Sequence, residues 1–254
     1  MSNLSDIGFP TPDEQAVNEM IMHVLEHTKP VKTSRGFYLV YTDASGAEIY
    51  LQGNSEQELI GFNPHFSGKS RRTVTLTKAI ERDSSELDGG FHAWANPQEK
   101  DDGTGESGDY PFVFDVPDFR TIENSELPRA VEIQLTAFAS NDFKIFDNED
   151  DYQKAQESEL KYASKMFVPS GLFAFDEKDG SIDLSVVRPV GMFAGEIKEF
   201  ELKTNALSGE KFYALLVETL GGEVDAVVDP KFVPEEPKIG GIVSGQFWLS
   251  GRII

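Results

Sequence analysis

The strongest constraint on this chain is a series of two-residue alternations that fills its last third, from Arg188 to Ile254. Successive side chains of a strand point to opposite faces, so apolar residues at every second position mark a half-buried β-strand. Residues 196–202 set Ile197, Phe200 and Leu202 among glutamates and a lysine, close to a period of two. Residues 211–219 are apolar enough to be covered on both faces. Val224, Ala226 and Val228 recur in a third run; Val243, Phe247, Leu249 and Ile253 share one face of a fourth, opposite Gln246, Trp248 and Arg252. Asn205 with Ser208-Gly209, then Gly221-Gly222, then residues 238–241 supply the turns between them. Pro230, Pro234 and Pro237 exclude a central strand in their own stretch, because proline has no N–H for the ladder. Four or five short strands at this spacing predict a small closed barrel, OB-like or SH3-like.

The rest of the chain predicts a looser mixture, so the expected class is α+β, mainly β. An N-terminal helix and mixed β module spans 1–187, and a C-terminal OB-like/SH3-like small β-barrel spans 188–254. Residues 1–10 are expected to be a tail. Thr11-Pro12-Asp13-Glu14 reads as a helix start, with Thr as N-cap, Pro at the first helical position and Glu closing a capping box. Val17, Met20, Ile21, Val24 and Leu25 then form one helical stripe that Pro30 ends.

Residues 36–42 and 47–51 predict a hairpin around Asp43-Ala44-Ser45-Gly46. Its pattern echoes residues 212–224; duplication and shared hairpin chemistry both account for the echo. Further strands are expected at 73–77, 90–94, 112–114 and 130–138, a helix over 149–166, and a hairpin of 172–175 with 182–184. Residues 98–110 are polar and acidic and read as a flexible loop.

Charge narrows function more than motifs do. The 254 residues carry 23 bases and 44 acids, a net charge of −21. Residues 99–159 hold 17 acids against 5 bases, whereas 61–82 hold five bases against Glu81 alone. An acidic body disfavours nucleic acid and anionic membrane. No apolar run is long enough for a membrane span, and residues 1–6 have no signal-peptide pattern. The absence of cysteine excludes disulfides and thiolate metal sites and fits a cytoplasmic protein.

Candidate sites are few. His23-Val24-Leu25-Glu26-His27 resembles the H-x-x-E-H string of the inverzincin peptidases, which implies two zinc-binding histidines one helical turn apart with a glutamate base. No third ligand can be nominated, and the β-rich remainder does not resemble that family, so no metal is expected. Residues 63–72, with Gly68, Lys69, Arg71 and Arg72, could hold a phosphate or carboxylate through backbone N–H groups and arginine forks, or pair with the acidic body. The spacing is not that of a P-loop.

Residues 101–109 offer oxygen ligands without EF-hand flanks, and the acids at 147–151 suit a helix N-terminus. Trp94 and Trp248 are the aromatics expected at the surface, where they would anchor an interface. No Ser-His-Asp set or nucleophile elbow is present, and no cofactor is implied.

The expected function is therefore a non-catalytic partner-binding protein, immunity- or inhibitor-like or regulatory, whose acidic surface engages a basic protein. One alternative is a metal-assisted hydrolase using His23, Glu26 and His27. The other is a scaffold subunit that docks through the barrel.

Overall fold

The computed structural model describes residues 3–9, 14–82, 85–98, 107–123, 125–170 and 187–254. After a 3-10 turn at Ser5–Ile7 comes α1 (Glu14–His27), then an antiparallel meander of β1 (Pro30–Lys32), β2 (Gly36–Thr42), β3 (Ala47–Asn54) and β4 (Leu59–Phe66). A second sheet takes β5 (Arg72–Glu81), β6 (Gly89–Ala95), β7 (Pro111–Asp115), β8 (Arg129–Ala139) and β9 (Lys144–Phe146). Past a short helix α2 (Glu149–Lys154), it continues through β10 (Met166–Pro169), β11 (Val190–Thr204), β12 (Lys211–Thr219), β13 (Gly222–Val228) and β14 (Ile242–Ile253).

The second sheet is built on a ribbon of β8 and β14, antiparallel from Leu249↔Ala137 to Ile253↔Ile133. Two arches leave the far edge of β8 and return to β14. The first runs β13–β12–β11: β13 joins β8 in parallel at Asp225↔Thr136, and β11 meets β14 from Val190↔Trp248 to Glu196↔Ile242. The second runs β5–β6–β7 and closes on β14 at Ser250↔Asp115.

The four runs read from the last third are thus β11 to β14, and they do lie in a closed barrel, but not by themselves: closure takes β8, drawn from the preceding half of the chain, and β5 to β7 bring the barrel to eight strands. Val131, Ile133, Leu135 and Ala137 of β8 face one apolar core together with residues of both arches and of β14, among them Val74, Phe91, Phe114, Phe193, Val217 and Phe247.

The meander is wedged against this barrel. Leu39, Ile49 and Leu51 pack with Met20 and Val24 of α1 and with Phe212 and Val227 of the barrel. The opposite face of β3 turns Glu48, Tyr50 and Gln52 inward, all buried.

Four expectations are corrected. Residues 3–9 are no free tail: Leu4, Ile7 and Phe9 are buried in the meander–barrel core, and Asn205 and Ser208 side chains donate to the Ile7 and Gly8 carbonyls. Of the expected basic loop, residues 63–66 belong to edge strand β4, where Pro64 needs no partner beyond β3. The helix over 149–166 stops at Lys154. Beyond it Leu160 and Tyr162 stay exposed, and Gln153 and Gln156 side chains donate to the Tyr162 carbonyl, so no buried stripe sustains further turns. Only Met20 and Val24 of the α1 stripe are buried, whereas Leu25 is exposed. The capping sequence at 11–13, most of the 98–110 loop and the 172–184 hairpin lie outside the described residues.

Candidate functional site

Where the meander meets the barrel, a chain of buried polar groups runs from β14 to the loop before β5. His65 on β4 accepts at Nδ1 from Ser250 Oγ (2.9 Å) and donates from Nε2 to Gln134 Oε1 (2.8 Å), the tautomer following from the amide oxygen being acceptor only. Gln134 Nε2 donates in turn to Thr136 Oγ1 (2.9 Å) and Asp225 Oδ2 (2.7 Å). His65 and Thr136 are fully inaccessible and Ser250 nearly so. Burial, with the positive charge of Arg252, pushes the His65 pKa down to about 3, so the imidazole is neutral. The order serine, histidine, amide, carboxylate looks catalytic, but substrate has no path to it, and its evident work is to fix the meander to the barrel.

Asp225 also explains the loop that carries Lys69 and Arg71. Its two oxygens accept the backbone N–H groups of Lys69 and Ser70, each at 2.9 Å. A Cβ at Gly68 would lie 2.1–2.4 Å from that carboxyl group, which only glycine permits. The loop N–H groups hold a carboxylate, as their sequence suggested they could, but it is the chain's own. Lys69 pairs with Glu199, and Arg71 lies 4.0 Å from Glu132. A shallow cavity of about 230 Å³ beside Lys69, also lined by Glu201 and Lys203, includes Asp225 in its wall.

Arg72 is separated from these two. It points into the barrel end, 3% exposed, with its guanidinium carbon 5.8 Å from the ring centres of both Phe112 and Phe167. Neither tryptophan is exposed as expected. Trp94 is half-buried, its Nε1 without a hydrogen-bond partner, and half-buried Trp248 donates from Nε1 to Asp115 Oδ2 (3.1 Å). Both sit on strands whose two faces are covered, which alternation alone does not reveal.

On α1 the rings of His23 and His27 stack with centroids 4.1 Å apart, and Tyr41 meets His23 edge-on. His27 Nδ1 donates to the His23 carbonyl (2.8 Å), a helix-ending bond. Glu26 is exposed beside them. Among the described residues no group of three or more His, Asp or Glu side chains is placed to hold a metal ion.

One group of exposed acids lies at and beyond α2. Asp147, Glu149 and Asp150 are exposed at its start, where the helix dipole favours them, and Asn148 caps the turn by accepting from the Asp151 N–H (2.9 Å). Glu157 and Glu159 follow, also exposed. Among them stand Leu160, 87% exposed, and Tyr162, 56% exposed. The acidity of the stretch was legible as composition; the exposure of Leu160 and Tyr162 beyond the end of α2 was not.

No protein-family model matches the chain, and no curated protein matches it in sequence.

Proposed function

We propose that this is a non-catalytic, cytoplasmic binding protein whose α2 surface engages a basic protein. The observation that carries the reading is the exposure of Leu160 and Tyr162 within a field of exposed acids. A leucine and a tyrosine left in water amid charge have the make-up of an interface anchor and its polar rim. Asp150, Glu157 and Glu159 supply long-range attraction, which speeds encounter and selects sign of charge, while the apolar pair supplies contact. The overall charge of −21 adds to the same field and opposes nucleic acid. Among the described residues no helix is long and apolar enough to cross a membrane.

The test is affinity capture from the native source with the tagged protein, set against two variants. Asp150→Lys/Glu157→Lys/Glu159→Lys and Leu160→Ala/Tyr162→Ala each should lose the same basic partner. Raising ionic strength several-fold should weaken the complex by roughly tenfold or more. A partner retained by both variants, or bound indifferently to salt, removes the proposal.

A further inference from the structure

A cavity of about 550 Å³ opens between the C-terminal end of α1 and the first strands of the meander. Small-molecule sites have volumes of about 300–1,000 Å³ and combine an apolar lining with a few polar groups. The apolar part here is Leu25, Pro30, Phe37 and Leu39. Strand register builds it: Pro30 pairs with Leu39 and Lys32 with Phe37, so all four share one face of β1 and β2. Phe37 in turn lies across from Gly53, where a Cβ would come within 2.1–2.7 Å of three of its ring atoms. Glycine therefore lets the ring lie down on β3, and a larger residue would lift it into the cavity. Leu25, 40% exposed, is the member of the α1 stripe left without a core to bury it.

The polar part of the lining selects a charge. In a chain of net charge −21, Lys32 alone is charged among the described residues that line this cavity. The side chains of Lys32, Ser55 and Gln57 make no hydrogen bond or ion pair among the described residues, and each can donate. The other lining groups are committed. Thr28 and Thr33 hydroxyls donate to the Val24 and Gly36 carbonyls, at 2.7 and 3.1 Å. Asn54 accepts the N–H groups of Glu56 and Glu58, which shapes the turn that carries Ser55 and Gln57. Nearby carboxylates are engaged elsewhere: Glu58 by Asn54, Glu123 by Ser34 and Glu81 by Arg35. An apolar slot with free donors, one of them cationic, and no acid in its lining complements an anion that carries an apolar body.

We propose that the cavity between α1 and the meander binds a small amphiphilic carboxylate of the fatty-acid type. Its apolar body lies on Leu25, Pro30, Phe37 and Leu39, and its carboxylate accepts from Lys32, Ser55 and Gln57. The site is separate from the α2 surface, and either proposal can fail without the other.

The test follows the Leu25 and Leu39 methyl signals of the full-length protein by ¹H–¹³C NMR. Sodium octanoate, below its micellar concentration, is titrated against sodium acetate, octanol and octylammonium chloride at equal ionic strength. Octanoate should move both signals saturably. Acetate, which lacks the tail, and octylammonium, which meets Lys32, should not; octanol should bind about tenfold more weakly or worse. Lys32→Glu should weaken octanoate about tenfold or more, whereas Lys32→Arg should keep most of the affinity. If octanoate gives no saturable shift, if octanol or octylammonium binds as tightly, or if a folded Lys32→Glu protein binds like the parent, the proposal fails. A blocked glutamate–leucine peptide that binds more tightly than octanoate would make the cavity a docking surface for an acidic protein, and also overturns it. Should a variant fail to fold, the ligand comparison on the parent protein still decides.

Discussion

Asp225 shows how much a single side chain settles here. Its carboxylate accepts three buried donors, the N–H groups of Lys69 and Ser70 and the Gln134 amide. Asparagine can present an oxygen to one side only and must turn an NH₂ toward a donor on the other. Asp225→Asn should therefore cost ~3 kcal/mol, read as a lower midpoint in urea unfolding; a loss below about 1 kcal/mol would mean that the network is dispensable. Asp6 makes the opposite kind of prediction. Burial foremost, and the neighbouring Asp229, push its pKa from 3.8 to about 7, although the Asp229 N–H opposes the shift. A raised carboxyl pKa means that the folded state holds its proton longer. The stability so gained is present in full below pH 3.8 and is lost as pH rises through 7. Asp6→Asn, which keeps the acceptor oxygen, should stabilise the protein at pH 8 and lose that advantage near pH 4. A stability difference between variant and parent that stays the same from pH 4 to pH 8 contradicts the assignment.

Among the elements, the first segment and β8 depart furthest from their sequence reading, for related reasons. Leu4, Ile7 and Phe9 are too few to show a period, so the stretch reads as a tail, yet each is buried by β12, β13 and the meander. Ile7→Ala should cost about 2–5 kcal/mol, measurable as a fall in Tm, whereas the same change in a free tail would cost nothing. In β8 a strand was expected at 130–138, and Arg129–Ala139 is one. Gln134 and Thr136 occupy the positions that usually face water, but the meander covers them; His65 and Asp225 satisfy Gln134, and the Gln134 amide and the Phe66 carbonyl satisfy Thr136. A buried, fully hydrogen-bonded polar face and a solvated one have the same spelling. For α2 the reverse holds: helix-forming residues continue past Lys154, but without an apolar face to bury, propensity alone does not extend so short a helix.

At the scale of the molecule, the barrel closes only through a strand from outside the final third. Without β8, the edges of β13 and β14 would stand open, with Ala137 and Leu135 missing from the core. A fragment of residues 188–254 should therefore give a collapsed, poorly dispersed NMR spectrum or aggregate. Adding residues 107–187 should restore dispersion, and a well-dispersed spectrum from the shorter fragment would refute this account.

By itself the sequence determined the local periods: a helix at the N-terminus, four strands in the last third, their turns, and a body of strongly negative charge. Those follow from interactions between residues a few positions apart, where chemistry and spacing are both on the line of the chain. Only the tertiary structure decided which strand closes the barrel, that the loop N–H groups of Lys69 and Ser70 hold Asp225, and that Arg72 lies buried against Phe112 and Phe167. Each joins residues up to 156 positions apart, and such pairings depend on packing energy summed over the whole core, which no local pattern encodes.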